Sequence, residues 1–241
     1  MDYDKCYTSQ KAAGYISILM SLTCLIMAVH WANGNTTAQK YLGGFNGGYY
    51  GVKGLNYHAV FMISGMCLSQ THALIAPRIY PFGKALNNFF HCLWLAASAA
   101  TAVAGISTAV HYKNYYGKLS NLSSAHSFSG LYTLSMFFLT NIYGILSFVF
   151  TDFTIFGAKI FPKLYKTLGL LTLYCATMTI EMGITQRDNI FGCDFAITRE
   201  LDAAAHYSEI LRGCRLSNGM GFMILLNAVL VSYALWDFPE Q

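Results

Sequence analysis

The chain has 241 residues, of which 55% are apolar and only 11% carry a formal charge, against roughly 25% charged in an ordinary soluble domain. That deficit excludes a soluble globular protein. A net charge of +4 with no block of Lys and Arg excludes nucleic acid as a partner, and phosphate-loop and zinc-finger spacings are absent.

In chain order, stretches free of Asp, Glu, Lys and Arg run over Ala12–Ala32, Leu55–Pro77, Ala85–Tyr112 and Leu119–Thr151. Thr167–Gln186 is broken only by Glu181, and Leu216–Trp236 closes the series. Each is long enough for a bilayer core, which takes about 20 residues per helix, and irregular backbone facing lipid leaves peptide groups unpaired. The expectation is an all-α membrane protein with six transmembrane helices over residues 12–32, 56–77, 87–111, 123–150, 166–186 and 216–236. These form a single domain over 1–241, with helices two to five as a central four-helix bundle and 187–215 as an outer loop. The first run is long and lacks a small-residue cleavage site, so it stays as an anchor.

Six crossings put both termini on one face, with the turn Arg78–Lys84 and the loop Lys159–Lys166. The 15 Lys and Arg split seven against eight between the faces, so charge asymmetry does not set orientation. Asn35-Thr36-Thr37 and Asn121-Leu122-Ser123 are glycosylation acceptors on the face opposite the termini. Seven Cys form no tight framework. Cys24, Cys67, Cys92 and Cys175 read as small buried apolar residues inside helices, whereas Cys193 and Cys214 share the last loop, where an oxidising compartment favours a disulfide. Within that loop Thr198–Leu211 reads as a short amphipathic surface helix.

Seven histidines remain, and an imidazole inside lipid needs a protein partner. His58 opens the second helix and His126 lies near the start of the fourth, and those helices run the same way. Two neutral imidazoles therefore share one depth, which suits a six-coordinate haem b iron packed among apolar side chains. His91 opens the third helix near the other face, and so does Tyr165 on the fifth. The bland alternative for any one of these rings is a hydrogen bond to a neighbouring hydroxyl or carbonyl. Glu181, deep in the fifth helix, is either part of a proton path or a side chain reaching for the interface.

From about His58 to Gln186 the chain resembles the cytochrome b561 family of di-haem transmembrane ascorbate oxidoreductases. After His58 come Gly65, Gln70, Ala73 and Arg78, similar to the family's second helix, with Ala59 replacing its usual Pro. Ala125-His126-Ser127-Phe128-Ser129-Gly130 resembles its Leu-His-Ser-Trp-x-Gly, with Gly144 in place, and Met182-Gly183-Ile184-Thr185-Gln186 its Met-Gly-Leu-Thr-Glu. His91, with Lys84 before it, is similar to the third-helix ligand and an upstream lysine.

The resemblance implies that His58 and His126 ligate, through the haem iron, the haem on the non-cytoplasmic side. Its second haem uses His91 and a histidine where this chain has Tyr165, with Gly169 following. Three outcomes stay open: phenolate ligation by Tyr165, five-coordinate iron on His91, or replacement by His72. The last lies 14 residues after His58, about 21 Å along an α-helix and about 40° off its azimuth.

Ascorbate in the family is held by two lysines and an arginine at the cytoplasmic end. Lys84 remains, but Asn88 and Ala158 with Lys159 stand in the other places, leaving Lys159, Lys163 and Lys166 as loop charges. On the outer face His111 resembles a substrate-contacting histidine, followed by Tyr115 and Tyr116, while Ser123 replaces a tyrosine. The implied activity is electron transfer by haem b from a cytoplasmic donor such as ascorbate to monodehydroascorbate or ferric iron on the other face, as an ascorbate-dependent or ferric reductase. The alternative is a single-haem accessory subunit of a larger membrane redox complex, and a haem-free channel or transporter is a third class. The expected partners are membrane lipid, ascorbate or another small reductant, and a second copy or a larger membrane complex. An endomembrane or the plasma membrane is the expected location, with the mitochondrial inner membrane as the alternative.

Overall fold

A computed structural model describes residues 8–34, 41–117, 121–149, 161–191, 193 and 212–237. Six helices among them are long and apolar enough to cross a membrane. We number them α1 (Thr8–Asn33), α2 (Gly54–Ile79), α3 (Lys84–Tyr112, prolonged by a π turn Lys113–Gly117), α4 (Ala125–Val149), α5 (Phe161–Phe191) and α6 (Arg212–Ala234). The chain is therefore an all-α, multi-pass integral membrane protein. α1 begins four residues before its charge-free run, and α5 runs five beyond Gln186, because Lys and Arg at helix ends reach out of the apolar layer. The expected amphipathic segment 198–211, the acceptor at Asn35, and Ala158 with Lys159 lie outside the described residues.

Helix α2 packs along α3 and, on its other side, against α5; α5 packs against α4, and α4 closes more sparsely onto α3. The order around the bundle is therefore α3, α2, α5, α4, which sets α2 diagonal to α4 and α3 diagonal to α5. α1 and α6 pack on each other and cover the α2–α5 wall. Without a hydrophobic force between helices in lipid, close approach depends on small residues and buried polar contacts. At Gly65 an added Cβ would meet Thr101 Oγ1 at 2.4 Å and Ser98 O at 3.1 Å, and the Ser98 hydroxyl donates to Gly65 O at 2.9 Å. Asn227 of α6 donates from Nδ2 to Thr71 Oγ1 of α2 at 2.8 Å.

Between Ile63 and Ser69, α2 winds as a π-helix, with Ser69 Oγ donating five residues back to Ser64 O. One inserted residue turns everything beyond it by about 100° relative to an α-helix. Among the cysteines Cys24 and Cys67 are buried as expected, but Cys92 is exposed. Cys193 and Cys214 form a disulfide, with Cα atoms 5.7 Å apart, that ties the end of α5 to the start of α6.

Candidate functional site

Two ring pairs cross the diagonals of the bundle, one near each end. His58 of α2 and His126 of α4 face each other with ring centres 6.1 Å apart and planes at 86°. His91 of α3 and Tyr165 of α5 do the same at 6.0 Å and 74°. An iron held between two imidazole nitrogens at about 2 Å each sets the ring centres roughly 6 Å apart. The spacing of the first pair therefore fits a bis-histidine haem.

The tautomers fit as well. Nδ1 of His58 lies 2.9 Å from Gly105 O, Nδ1 of His91 2.7 Å from Ala73 O, and Nδ1 of His126 2.9 Å from Thr179 O. A carbonyl only accepts, so each Nδ1 carries the proton and each Nε2 keeps its lone pair for a metal. The carbonyls come from neighbouring helices, α3 for His58, α2 for His91 and α5 for His126, so bundle packing itself aims the rings. Thr179 is further bound through Oγ1 to Ser129 Oγ at 2.6 Å and Thr133 Oγ1 at 3.0 Å, which locks the α4–α5 seam beside His126.

The depth of the two layers can be read twice. Gly105 lies 14 residues beyond His91 on α3, and Ala73 lies 15 beyond His58 on α2. Both give about 21–22 Å along the bundle at 1.5 Å per residue. The pairs thus sit near opposite ends of the bundle.

His72 goes elsewhere. Its Nδ1 is 2.5 Å from the Tyr80 hydroxyl and its ring lies on Trp94, with centres 4.4 Å apart. The π segment Ile63–Ser69 lies between His58 and His72 and changes the azimuth expected from a regular α-helix, and Trp94, which the His72 ring meets, belongs to α3. Tyr165 instead stands opposite His91, its hydroxyl 3.4 Å from His91 Nε2. Its ring fills the space beside Gly144, where a Cβ would meet Cε2 at 2.6 Å. Gly183 is held similarly open by the His126 ring, whose Cε1 would lie 2.9 Å from an added Cβ. Glu181 faces Gly221 of α6, outside the central space.

At the face bearing the termini, Arg78 and Lys166 both bind Asp237, Arg78 at 3.0 Å. Partial burial pushes the Asp237 carboxyl up, but Lys166 and Arg78 outweigh it and hold it below the usual carboxylate range. Lys84 and Asn88 are exposed. On the opposite face His111 is packed among tyrosines, with ring centres 4.4 Å from Tyr115, 4.7 Å from Tyr50 and 6.2 Å from Tyr116. Asn121 is exposed there and donates from Nδ2 to Asn114 Oδ1 at 3.0 Å.

A cavity of 180 Å³ opens beside the His58 layer, lined by Leu42, Val52, Lys53, Leu55, Asn56, Tyr112, Arg187 and Ile190. Sequence reasoning missed it. Its floor depends on a glycine-rich loop folding back over α2: Gly43 and Gly44 have φ of 86° and 87°, open to glycine at little cost. Asn56 Nδ2 then reaches Leu42 O at 3.0 Å and Gly44 O at 2.6 Å. The only advance signal is the glycine cluster itself.

A family model described as eukaryotic cytochrome b561 matches residues 57–191, a span that contains both ring pairs. The chain is 32% identical over 192 residues to the probable transmembrane ascorbate ferrireductase 4 of Arabidopsis thaliana, covering 78% of this chain and 79% of that one. It is 23% identical over 235 residues to a lysosomal membrane ascorbate-dependent ferrireductase of Danio rerio, covering 93% and 89%. A putative transmembrane ascorbate-dependent reductase of Caenorhabditis elegans is 27% identical over 143 residues, covering 56% and 54%.

Proposed function

The chain belongs to the eukaryotic cytochrome b561 family, and from that premise we propose that it carries electrons across the membrane from ascorbate to ferric iron or monodehydroascorbate, using haem b held at two depths. Members of the family are haem b cytochromes. Haem b, when bound, supplies one-electron oxidation and reduction of its iron. His58 and His126 hold one haem and His91 with Tyr165 the other. The single observation that carries this reading is the diagonal pairing of rings at two levels, each histidine with Nδ1 pinned by a carbonyl, which leaves Nε2 unprotonated.

What the residues do follows from their placement. The carbonyls fix ring orientation and raise the basicity of the coordinating nitrogen. Gly183 and Gly144 leave the central space open where side chains would crowd the rings. Apolar walls keep water out of the layers, which are about 21 Å apart. The disulfide Cys193–Cys214 belongs in an oxidising compartment, so the His58 layer faces lumen or exterior and the His91 layer faces cytosol. Ascorbate gives its electron at the cytosolic end, with the exposed Lys84 as a cation that attracts its anion, and His111 stands near the acceptor.

A second reading is favoured by one contact: the Tyr165 hydroxyl already lies 3.4 Å from His91 Nε2. In it the inner layer is closed by that hydrogen bond, one haem remains, and the chain is an accessory subunit of a larger redox complex. Haem counting separates the two. Purified protein with two haems per chain, both reduced by ascorbate, supports transmembrane transfer; one haem, lost in His58→Leu and His126→Leu, supports the second reading; no haem refutes both.

A further inference from the structure

We propose that His72 is a positioning residue for the His91 layer: joined to Tyr80 and laid on Trp94, it clamps α2 to α3 so that the carbonyl of the next residue, Ala73, stays aimed at the His91 imidazole. This deepens the proposed function and rests on it, since the ring held in place is the one that meets the inner haem.

Three side chains on one face of α3 carry the argument. Asn87, His91 and Trp94 stand at i, i+4 and i+7, a single stripe of the helix, and each meets α2 or the residue that ends it. Asn87 Nδ2 donates to Tyr80 O at 3.0 Å. His91 Nδ1 donates to Ala73 O at 2.7 Å. Trp94 lies against the His72 ring, with centres 4.4 Å apart and planes at 32°. His72 and Tyr80 close the circuit, since His72 Nδ1 is 2.5 Å from the Tyr80 hydroxyl, with either atom donating. The His91 contact is thus bracketed along α3 by Asn87 with Tyr80 on one side and by Trp94 with His72 on the other.

Tyr80 leaves α2 with an extended backbone, φ −65° and ψ 140°, and this break in the helix lets its hydroxyl come back to a residue eight positions earlier. His72, Ala73 and Asn87 are all buried, so a partner lost here is not readily replaced by water. Small slips matter in such a seam. A relative shift of about 0.5 Å carries the His91–Ala73 bond to the long end of the ordinary N–H···O range. That bond raises the basicity of Nε2, and a more basic ligand favours ferric iron, so loosening the clamp shifts the midpoint potential upward.

The test uses the purified holoprotein with His72→Leu, Tyr80→Phe and His72→Gln. Tyr80→Phe removes only a hydroxyl and so keeps the fold. Two quantities are read: the midpoint potentials of both haems, and the Nδ1 proton of His91, followed by nitrogen-15 nuclear magnetic resonance of the reduced protein. His72→Leu and Tyr80→Phe should raise the potential of the haem that His91→Leu removes and leave the other in place. They should also speed solvent exchange of the His91 Nδ1 proton about fivefold, the equivalent of one lost hydrogen bond. His72→Gln, whose amide still meets the Tyr80 hydroxyl, should restore both readings. The proposal is overturned if the variants lower Tm but leave the His91 proton unchanged, if both haems shift alike, or if His72→Gln is no better than His72→Leu. A wild-type protein with one haem sinks the two-haem reading instead, and exchange of the His91 proton then decides the role of His72 by itself.

Discussion

Gly183→Ala isolates one ring layer with a single methyl. Its Cβ would sit 2.9 Å from His126 Cε1 and 3.2 Å from Nδ1, whereas carbon atoms rest at about 3.5 Å or more. The imidazole must therefore retreat by roughly 0.6 Å. Its Nδ1 is tied to Thr179 O at 2.9 Å, and Thr179 lies one turn before Gly183 on the same helix, so retreat from the methyl stretches that bond to about 3.5 Å, the limit of a useful contact. Losing it costs about 1 kcal/mol, and disturbing such an outer-shell partner typically weakens metal binding about 10–100-fold. The expected outcome is partial loss of one haem, with a high-spin fraction at that site by electron paramagnetic resonance, while the other haem keeps its midpoint potential. Gly144→Ala is the matched control, because its Cβ would meet Tyr165 Cε2 at 2.6 Å in the other layer. If Gly183→Ala keeps wild-type haem content, spin state and potentials, or if both variants move the same signal, the layered assignment is wrong.

Other outcomes follow from the same contacts. Tyr165→His sets an imidazole opposite His91 and adds a second low-spin bis-histidine signal; no new signal counts against the diagonal placement of these two positions. Asp237 is held charged by Lys166 and Arg78, so its depressed pKa contributes stability at neutral pH that is lost as pH falls through that value, below about pH 4. Asp237→Asn should accordingly lower Tm at pH 7 and converge with wild type in acid, and a gap that widens in acid would overturn the assignment. Reducing Cys193–Cys214, separated by 21 residues, adds two hydrogens by mass and removes about 3 kcal/mol of stability on the loop-closure model. An unchanged Tm after reduction would show that the bond is energetically idle.

Helix number and the levels of the rings were legible because they depend on coarse physics. A bilayer excludes charge over about 20 residues, and helix direction alternates with each crossing, so His58 and His126 had to share one depth and His91 and Tyr165 the other. Which rings would face inward was harder. For His126 and His91 the start-of-helix position sufficed. For His72 it did not, because a local π segment at Ile63–Ser69 leaves no mark in the hydropathy pattern, yet rotates all that follows. Gly65 is the visible trace, since close contact with Thr101 and Ser98 is what that segment allows. The ion bridge of Arg78 and Lys166 through Asp237 spans 159 residues to Arg78, a separation no local window can span, and the exposed Cys92 shows that apolar helix positions in lipid divide between core and tails without a compositional signal.

Those same distant contacts give the two ends of the bundle different electrostatic characters. At the end bearing the termini Arg78 and Lys166 are both engaged by one carboxylate, so their charge is satisfied within the protein. At the other end the cavity wall offers Lys53 and Arg187 with Asp188 turned away toward Ser217. Cations near an iron favour its reduced, less positive form, and Lys53 and Arg187 line the cavity next to α2 below His58, so the His58 layer should carry the higher midpoint potential and be reduced first. A redox titration of His91→Leu, which leaves only that layer, should retain the high-potential step; retention of the low-potential step instead would show that the cations do not govern the gradient.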